Sequence, residues 1–214
     1  MNAVATETTT TSPLRQDVAR ELIARAKQSA VRRQRRLRNE IENVQLGQDR
    51  HADHADSKVL RRILVEHEWP GHRLVGPEAA RAAWSLALHA DDEPDFQRAA
   101  TTLLERAVRD GDALVQHWAH LHDRALVNGG HLQEYGTQLV FTKSDVELCA
   151  LRAPESVDRR RAAVGLPPIA VALETVRRRC GLAGYESDPP TAALTLARPT
   201  HAKEGDRGRD DVHQ

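Results

Sequence analysis

Phe96, Ala99, Ala100, Leu103, Leu104, Ala107 and Val108 stand at offsets of 0, 3, 4, 7, 8, 11 and 12. At about 100° per residue these side chains share one face, so the segment is a helix with a single buried side. Asp91-Asp92-Glu93-Pro94 is its start signal, and Asp110-Gly111-Asp112 is the turn after it, with a capping aspartate ahead of the next helix. Upstream, Gly76-Pro77-Glu78 opens a helix carrying Ala79, Ala80, Ala83, Trp84, Ala87 and Leu88. Proline suits a first turn, where its missing N–H leaves nothing unsatisfied. Downstream, Leu114, Trp118, Leu121 and Ala125 mark a further helix, stopped by Asn128-Gly129-Gly130. Connections this short imply an antiparallel bundle.

The remainder of the chain is read around that bundle. Residues 1–13 are threonine-rich and are expected to be disordered. Residues 14–52 form a charged N-terminal helix with a thin apolar stripe (Leu14, Val18, Leu22, Ala26, Ala30), followed by Arg32, Arg33, Arg35, Arg36 and Arg38 and closed by a break over Gly47 to Asp53. Residues 53–182 form the helical domain. Its first helix runs from about Asp53 to Glu66, burying Val59, Leu60, Ile63 and Leu64, and its last from about Ile169 to Arg179. Between them the period changes: Gln138 to Thr142 and Val146 to Leu151 are β-prone runs around Lys143-Ser144-Asp145, which predicts one hairpin over residues 138–151. Residues 183–214, rich in Gly, Pro, Asp and Arg, are expected to be a disordered tail. The fold class is therefore mainly α: an antiparallel helical bundle with one β-hairpin.

Charge and composition narrow the function. The 31 basic and 31 acidic residues cancel, which argues against nucleic acid as the partner of the whole surface. No run of about 18 apolar residues spans a bilayer, so no membrane is expected. The first residues lack the basic start and apolar stretch of a secretory signal, and a cytoplasmic location is expected. Cys149 and Cys180 are too few for a disulfide scaffold and read as small apolar packing residues. The chain has no Gly-x-Gly-x-x-Gly or Walker-type loop, zinc signature or Gly-x-Ser-x-Gly elbow, so no organic cofactor is expected.

Several polar groups remain as candidates. His-Ala-Asp occurs at 51–53, 54–56 and 89–91. The first two sit at an expected helix start, where aspartates stabilise the positive end. In the third, His89 ends one helix and Asp91 opens the link to the next, which frees both side chains to converge; a divalent metal there stays open. Of His117, His120 and His122, only the first two share a helix face, so this segment alone makes no three-histidine metal site. Asp123 has Ala119, His120, Leu126 and Val127 as helical neighbours, and a carboxylate buried there needs a partner or a proton. Gln133, Tyr135, Gly136, Thr137 and Gln138 form a polar run after the glycine-rich stop, suited to orienting a substrate.

From about Val59 to Leu173 the chain resembles a bacterial domain family of unknown function. The resemblance rests on Trp69-Pro70, Leu74-Val75-Gly76, Ala82-Ala83-Trp84, His89-Ala90-Asp91, Phe96-Gln97, Leu121-His122-Asp123-Arg124, Tyr135-Gly136-Thr137-Gln138, Arg160-Arg161 and Gly165-Leu166-Pro167. It departs at Glu68, where the family has glycine, and at Leu88, where glutamine precedes the histidine. The resemblance implies a domain boundary and a set of positions, but no reaction.

The polar members of that set are expected to converge on a pocket between the helices and the hairpin. His89, Asp91, Asp123 and Tyr135 are the candidate catalytic groups; Gln97, Arg124, Gln133, Gln138 and Arg161 are the candidate substrate-binding groups. The expected function is a small-molecule or peptide-modifying enzyme using general acid/base chemistry, by hydrolysis, elimination or cyclisation, in a biosynthetic pathway. The alternative is a ligand-binding or regulatory module that contacts a partner through the arginine-rich helix. The oligomeric state is left open.

Overall fold

A computed structural model describes residues 13–38, 43–141 and 145–180. The expected disordered ends, residues 1–13 apart from Pro13 and residues 183–214, fall outside the described residues. Seven α-helices are present among those described: α1 (Gln16–Leu37), α2 (Asn43–His67), α3 (His72–Leu88), α4 (Pro94–Arg109), α5 (Val115–Asn128), α6 (Val157–Ala163) and α7 (Ile169–Arg179). One hairpin, β1 (Leu139–Phe141) and β2 (Val146–Leu148), is antiparallel, with Leu139 opposite Leu148 and Phe141 opposite Val146. The mainly helical class with a single hairpin holds. None of the described helices is long and apolar enough to cross a membrane.

The main core is built from small and aliphatic side chains. Val18, Ala19 and Leu22 of α1, Leu60 and Ile63 of α2, the alanine-rich face of α3, Phe96, Ala100 and Leu104 of α4 and Leu121 of α5 bury one another. The periodic face of α4 is as expected except at its edge, where Ala99 is exposed and Leu103 and Val108 are half-buried. Alanines at Ala79, Ala80, Ala83 and Ala87 let neighbouring helices approach α3 closely, which compensates for the scarcity of rings. Within α3 the backbone breaks at Gly76, whose φ of 78° suits glycine, and the helix proper resumes at Pro77, the residue at which the sequence predicted its start.

Several expectations need correction. The break over Gly47 to Asp53 is helical, because α2 begins at Asn43. Asp53 and Asp56 are therefore mid-helix and do not cap anything. They face α1: Arg25 donates to Asp56 at 2.9 Å, Arg32 donates to Asp53 at 3.0 Å and also to Asp56, and Arg36 donates to Asp53 at 2.6 Å. The arginine-rich end of α1 is thus partly a buried polar seam. An apolar period does not register a seam whose two faces are both charged. Asp112 serves α3, because its Oδ1 accepts from the Arg73 N–H at 2.8 Å. Cys180 is exposed and Cys149 half-buried, so neither is a core packing residue.

Candidate functional site

The link between α3 and α4 carries His89 and Asp91, and it lies against the C-terminal half of α5. Arg124 and Asn128 are four residues apart on α5 and so share a face. Both reach Asp91: Arg124 Nε and Nη2 donate to its two oxygens at 2.8 and 2.5 Å, and the Asn128 amide donates to Oδ1 at 2.9 Å. Arg124 is 1% exposed, so this forked ion pair forms largely out of water. Burial alone would raise the Asp91 carboxyl, but Arg124 and Asn128 hold it below the usual carboxylate range.

From this pair a chain of hydrogen bonds runs through the interior. Gln97 donates to the Ala87 and Leu88 carbonyls at 3.2 and 3.1 Å, closing the end of α3, and accepts from Asn128 at 2.8 Å. Arg124 Nη1 donates to Gln138 Oε1 at 3.2 Å. The Gln138 N–H donates to Gln133 Oε1 at 2.8 Å, and Gln133 Nε2 donates to the Gln138 and Cys149 carbonyls at 3.0 and 2.8 Å. Gln133 thus ties the hairpin to the loop before it. Asp91, Gln97, Arg124, Gln133 and Gln138 do converge, but their polar groups are engaged largely with one another and with nearby carbonyls.

Asp123 has a separate role. Its carboxylate accepts from the backbone N–H groups of Glu134, Tyr135 and Thr137 at 2.8, 3.1 and 3.0 Å, and from the Thr137 hydroxyl at 2.9 Å. Burial pushes this carboxyl up against the pull of those four donors. The side chain is fully buried and it fixes the Tyr135-Gly136-Thr137-Gln138 loop onto α5. Arg161 clamps the same loop from α6, donating to the carbonyls of Tyr135 at 2.5 Å and Pro167 at 2.6 Å.

Tyr135 contributes backbone here and its phenol lies elsewhere. The ring packs edge-on against Trp118 and His122, with centroids 5.8 and 6.2 Å apart, while Trp118 and His122 stack at 5.0 Å. His122 is about 200° around α5 from Arg124. The phenol and the Asp91–Arg124 pair therefore lie on opposite sides of that helix. The neighbouring histidines are packing groups as well: His117 stacks on Trp84 at 4.2 Å, and His120 meets the same indole edge-on at 6.1 Å. Among the described residues no group of three or more His, Cys, Asp or Glu side chains is arranged to hold a metal ion.

His89 differs from the rest of the set. It is half-buried, and its ring makes no hydrogen bond among the described residues. Burial and the nearby charge of Arg33, more than offsetting Asp91, push its pKa down to about 3, with Arg124 and Arg36 adding to the depression. The imidazole is therefore neutral near pH 7. Arg33, also half-buried, donates to the Ser29 hydroxyl at 2.7 Å and forms no ion pair among the described residues, and burial pushes its pKa down to about 10. Arg36 Nε is buried without a partner. A neutral base and one half-buried guanidinium that forms no ion pair among the described residues, Arg33, thus lie near one another by the end of α3. Sequence reasoning missed Arg33, Arg36 and Asn128. For Asn128 the signal was its i+4 spacing from Arg124; for Arg33 and Arg36 it was absent, since five arginines in seven positions look alike until a partner helix is placed.

A family model described as a family of unknown function (DUF6624) matches residues 16–189. No curated protein and no solved structure matches the chain.

Proposed function

We propose, for a chain that belongs to this family of unknown function, a small-molecule or peptide-modifying enzyme that acts on an anionic substrate by general acid/base chemistry. In this reading His89 is the proton acceptor, Arg33 receives the substrate's negative charge, and the Asp91–Arg124–Asn128 cluster is the rigid floor beside them. One observation supports it above the others: Arg33, a half-buried guanidinium that forms no ion pair among the described residues, bears on an imidazole that makes no hydrogen bond among them. An uncompensated charge of this kind is unfavourable, and the binding of an anion relieves it.

The same electrostatics give the base its timing. In the free protein the guanidinium groups oppose protonation of His89. A bound carboxylate or phosphate cancels part of that field and raises the proton affinity of the imidazole toward the working pH, so the base strengthens when substrate is present. In this scheme the base takes a proton from water in hydrolysis, from carbon in elimination or from the internal nucleophile in cyclisation. Asp123 and Tyr135, placed by the sequence among the catalytic groups, hold and pack the loop in this scheme, and Gln97, Gln133 and Gln138 are positioning residues.

The alternative, a module gripping a partner through the arginine-rich helix, has less to support it, because Arg32 and Arg36 are engaged with Asp53 and Asp56. The test follows the His89 ring resonances of the isotope-labelled chain during titration with inorganic phosphate, then incubates wild type and His89→Gln with a metabolite extract read by mass spectrometry. The reading expects a phosphate-dependent rise in the His89 pKa, lost in Arg33→Gln, and consumption of a metabolite by wild type alone. An unmoved pKa together with no His89-dependent consumption overturns it.

A further inference from the structure

Beside the Tyr135–Gln138 loop lies a cavity of about 150 Å³. Its walls are apolar, formed by Leu139 of β1, Leu166 after α6, and Ile169, Leu173 and Val176 of α7. Gly136 borders it with a φ of 64°, and a Cβ there would sit 2.6 Å from Ile169 Cδ1, so the loop needs glycine to leave this space beside α7. A cavity of this size accepts a benzene-sized body.

Two polar residues on its wall, Arg161 and His120, have hydrogen-bonding capacity left over among the described residues. Arg161 is 3% exposed and forms no ion pair among the described residues. Its Nε donates to Pro167 and its Nη1 to Tyr135 and Gly136, all neutral carbonyls, and its Nη2 makes no hydrogen bond among the described residues. His120 Nδ1 is buried and has no partner. Thr137 is closed to a ligand by comparison, since its hydroxyl donates to Asp123 and accepts from Gln138. Arg161 is hydrogen-bonded to neutral carbonyls alone, and the carboxylates of Asp158 and Asp123 act on it without pairing with it, so its positive charge is only partly offset beside an apolar space that the His120 ring also borders. Such a charge is met better by an anion with an apolar body than by a hydrocarbon or by water alone.

We propose that this cavity is a binding site for a small organic carboxylate, whose carboxylate pairs with Arg161 and accepts from, or shares a proton with, His120, and whose ring or short chain fills the space between β1 and α7. The site shares no residue with the His89 region and stands whether or not that reading holds.

The test uses benzoate as the probe, with benzyl alcohol as a neutral ligand of the same shape and toluene as a purely apolar one, each titrated into the full chain with amide resonances as the readout. Benzoate is expected to saturate and to shift Gly136, Thr137 and Ala172. Benzyl alcohol is expected to bind at least about tenfold more weakly, the size of one lost charge-assisted hydrogen bond. Because Arg161 also holds the loop, Arg161→Gln is paired with Ala172→Phe, which fills the cavity from the half-buried face of α7 and leaves Arg161 in place. Loss of benzoate binding in a folded Ala172→Phe chain supports the assignment. It is overturned if benzyl alcohol or toluene binds as tightly as benzoate, if benzoate fails to saturate by about 10 mM, or if Ala172→Phe binds it unchanged.

Discussion

Acidification from about pH 7.5 to about pH 5 should remove a large part of this protein's stability. Burial pushes His120 and His117 down to about 4, and His89 to about 3. In the unfolded chain each titrates near 6.5. Below that pH the unfolded state takes up protons that the native state refuses, so stability falls with pH from about 6.5 until the folded values are reached. At pH 5 the linkage is about 2 kcal/mol each for His120 and His89 and somewhat less for the more exposed His117, together about 5 kcal/mol. That is comparable to the whole stability of a small domain, about 5 to 15 kcal/mol. Asp91, held below its ordinary value, keeps its charge throughout this window and does not contribute to the slope. Urea denaturation followed by far-UV circular dichroism at fixed ionic strength gives the free energy at each pH. A native state that loses less than about 1 kcal/mol over this range, or imidazole resonances that titrate near 6.5 in the folded protein, would refute the reasoning.

Three substitutions test the roles assigned to single side chains. Asp123→Asn keeps the shape but removes the charge and aims an amide donor at donors, so a loss of about 3 kcal/mol is expected in the same urea assay. Tyr135→Phe, whose hydroxyl makes no hydrogen bond among the described residues, should cost less than about 1 kcal/mol. Arg124→Lys retains a cation but cannot span Asp91 and Gln138 together, and about 2 kcal/mol should be lost; an unchanged midpoint would mean that the forked pair is dispensable.

The helices were legible because burial in a bundle leaves an apolar period, and Phe96, Ala100 and Leu104 carry it clearly. The α1–α2 seam was not, because Arg25, Arg32 and Arg36 meet Asp53 and Asp56 through charge, and a charged stripe that faces a charged stripe reads as solvated. The candidate site was legible in part. That His89 and Asp91 belong to one region followed from the end of one helix and the start of the next, whereas Gln97 and Arg124 joined the set through the family resemblance. Tyr135 was misplaced for a specific reason: the sequence displays its phenol, whereas Asp123 binds the backbone N–H behind it. No side-chain inventory reveals which part of a residue its neighbour uses.

Hydrogen-bond capacity separates residues that hold this fold from residues available to a ligand. Asp123 has four donors, Gln133 and Gln138 satisfy each other, and Arg124 has acceptors on all three nitrogens, so a substrate that engaged any of them would first have to break a bond already made. His89, Arg33 and Arg36 Nε near the end of α1, and His120 Nδ1 with Arg161 beside the apolar cavity, have capacity left over. Each buried donor or acceptor left unmet costs about 1 to 3 kcal/mol, and a bound group that meets it recovers that amount as affinity. Unmet capacity is not sufficient by itself, since Trp118 Nε1 also lacks a partner within its stack of rings. What distinguishes the two clusters is that each sets an imidazole near a guanidinium that forms no ion pair among the described residues. That combination selects for negative charge, so both regions are expected to take anions.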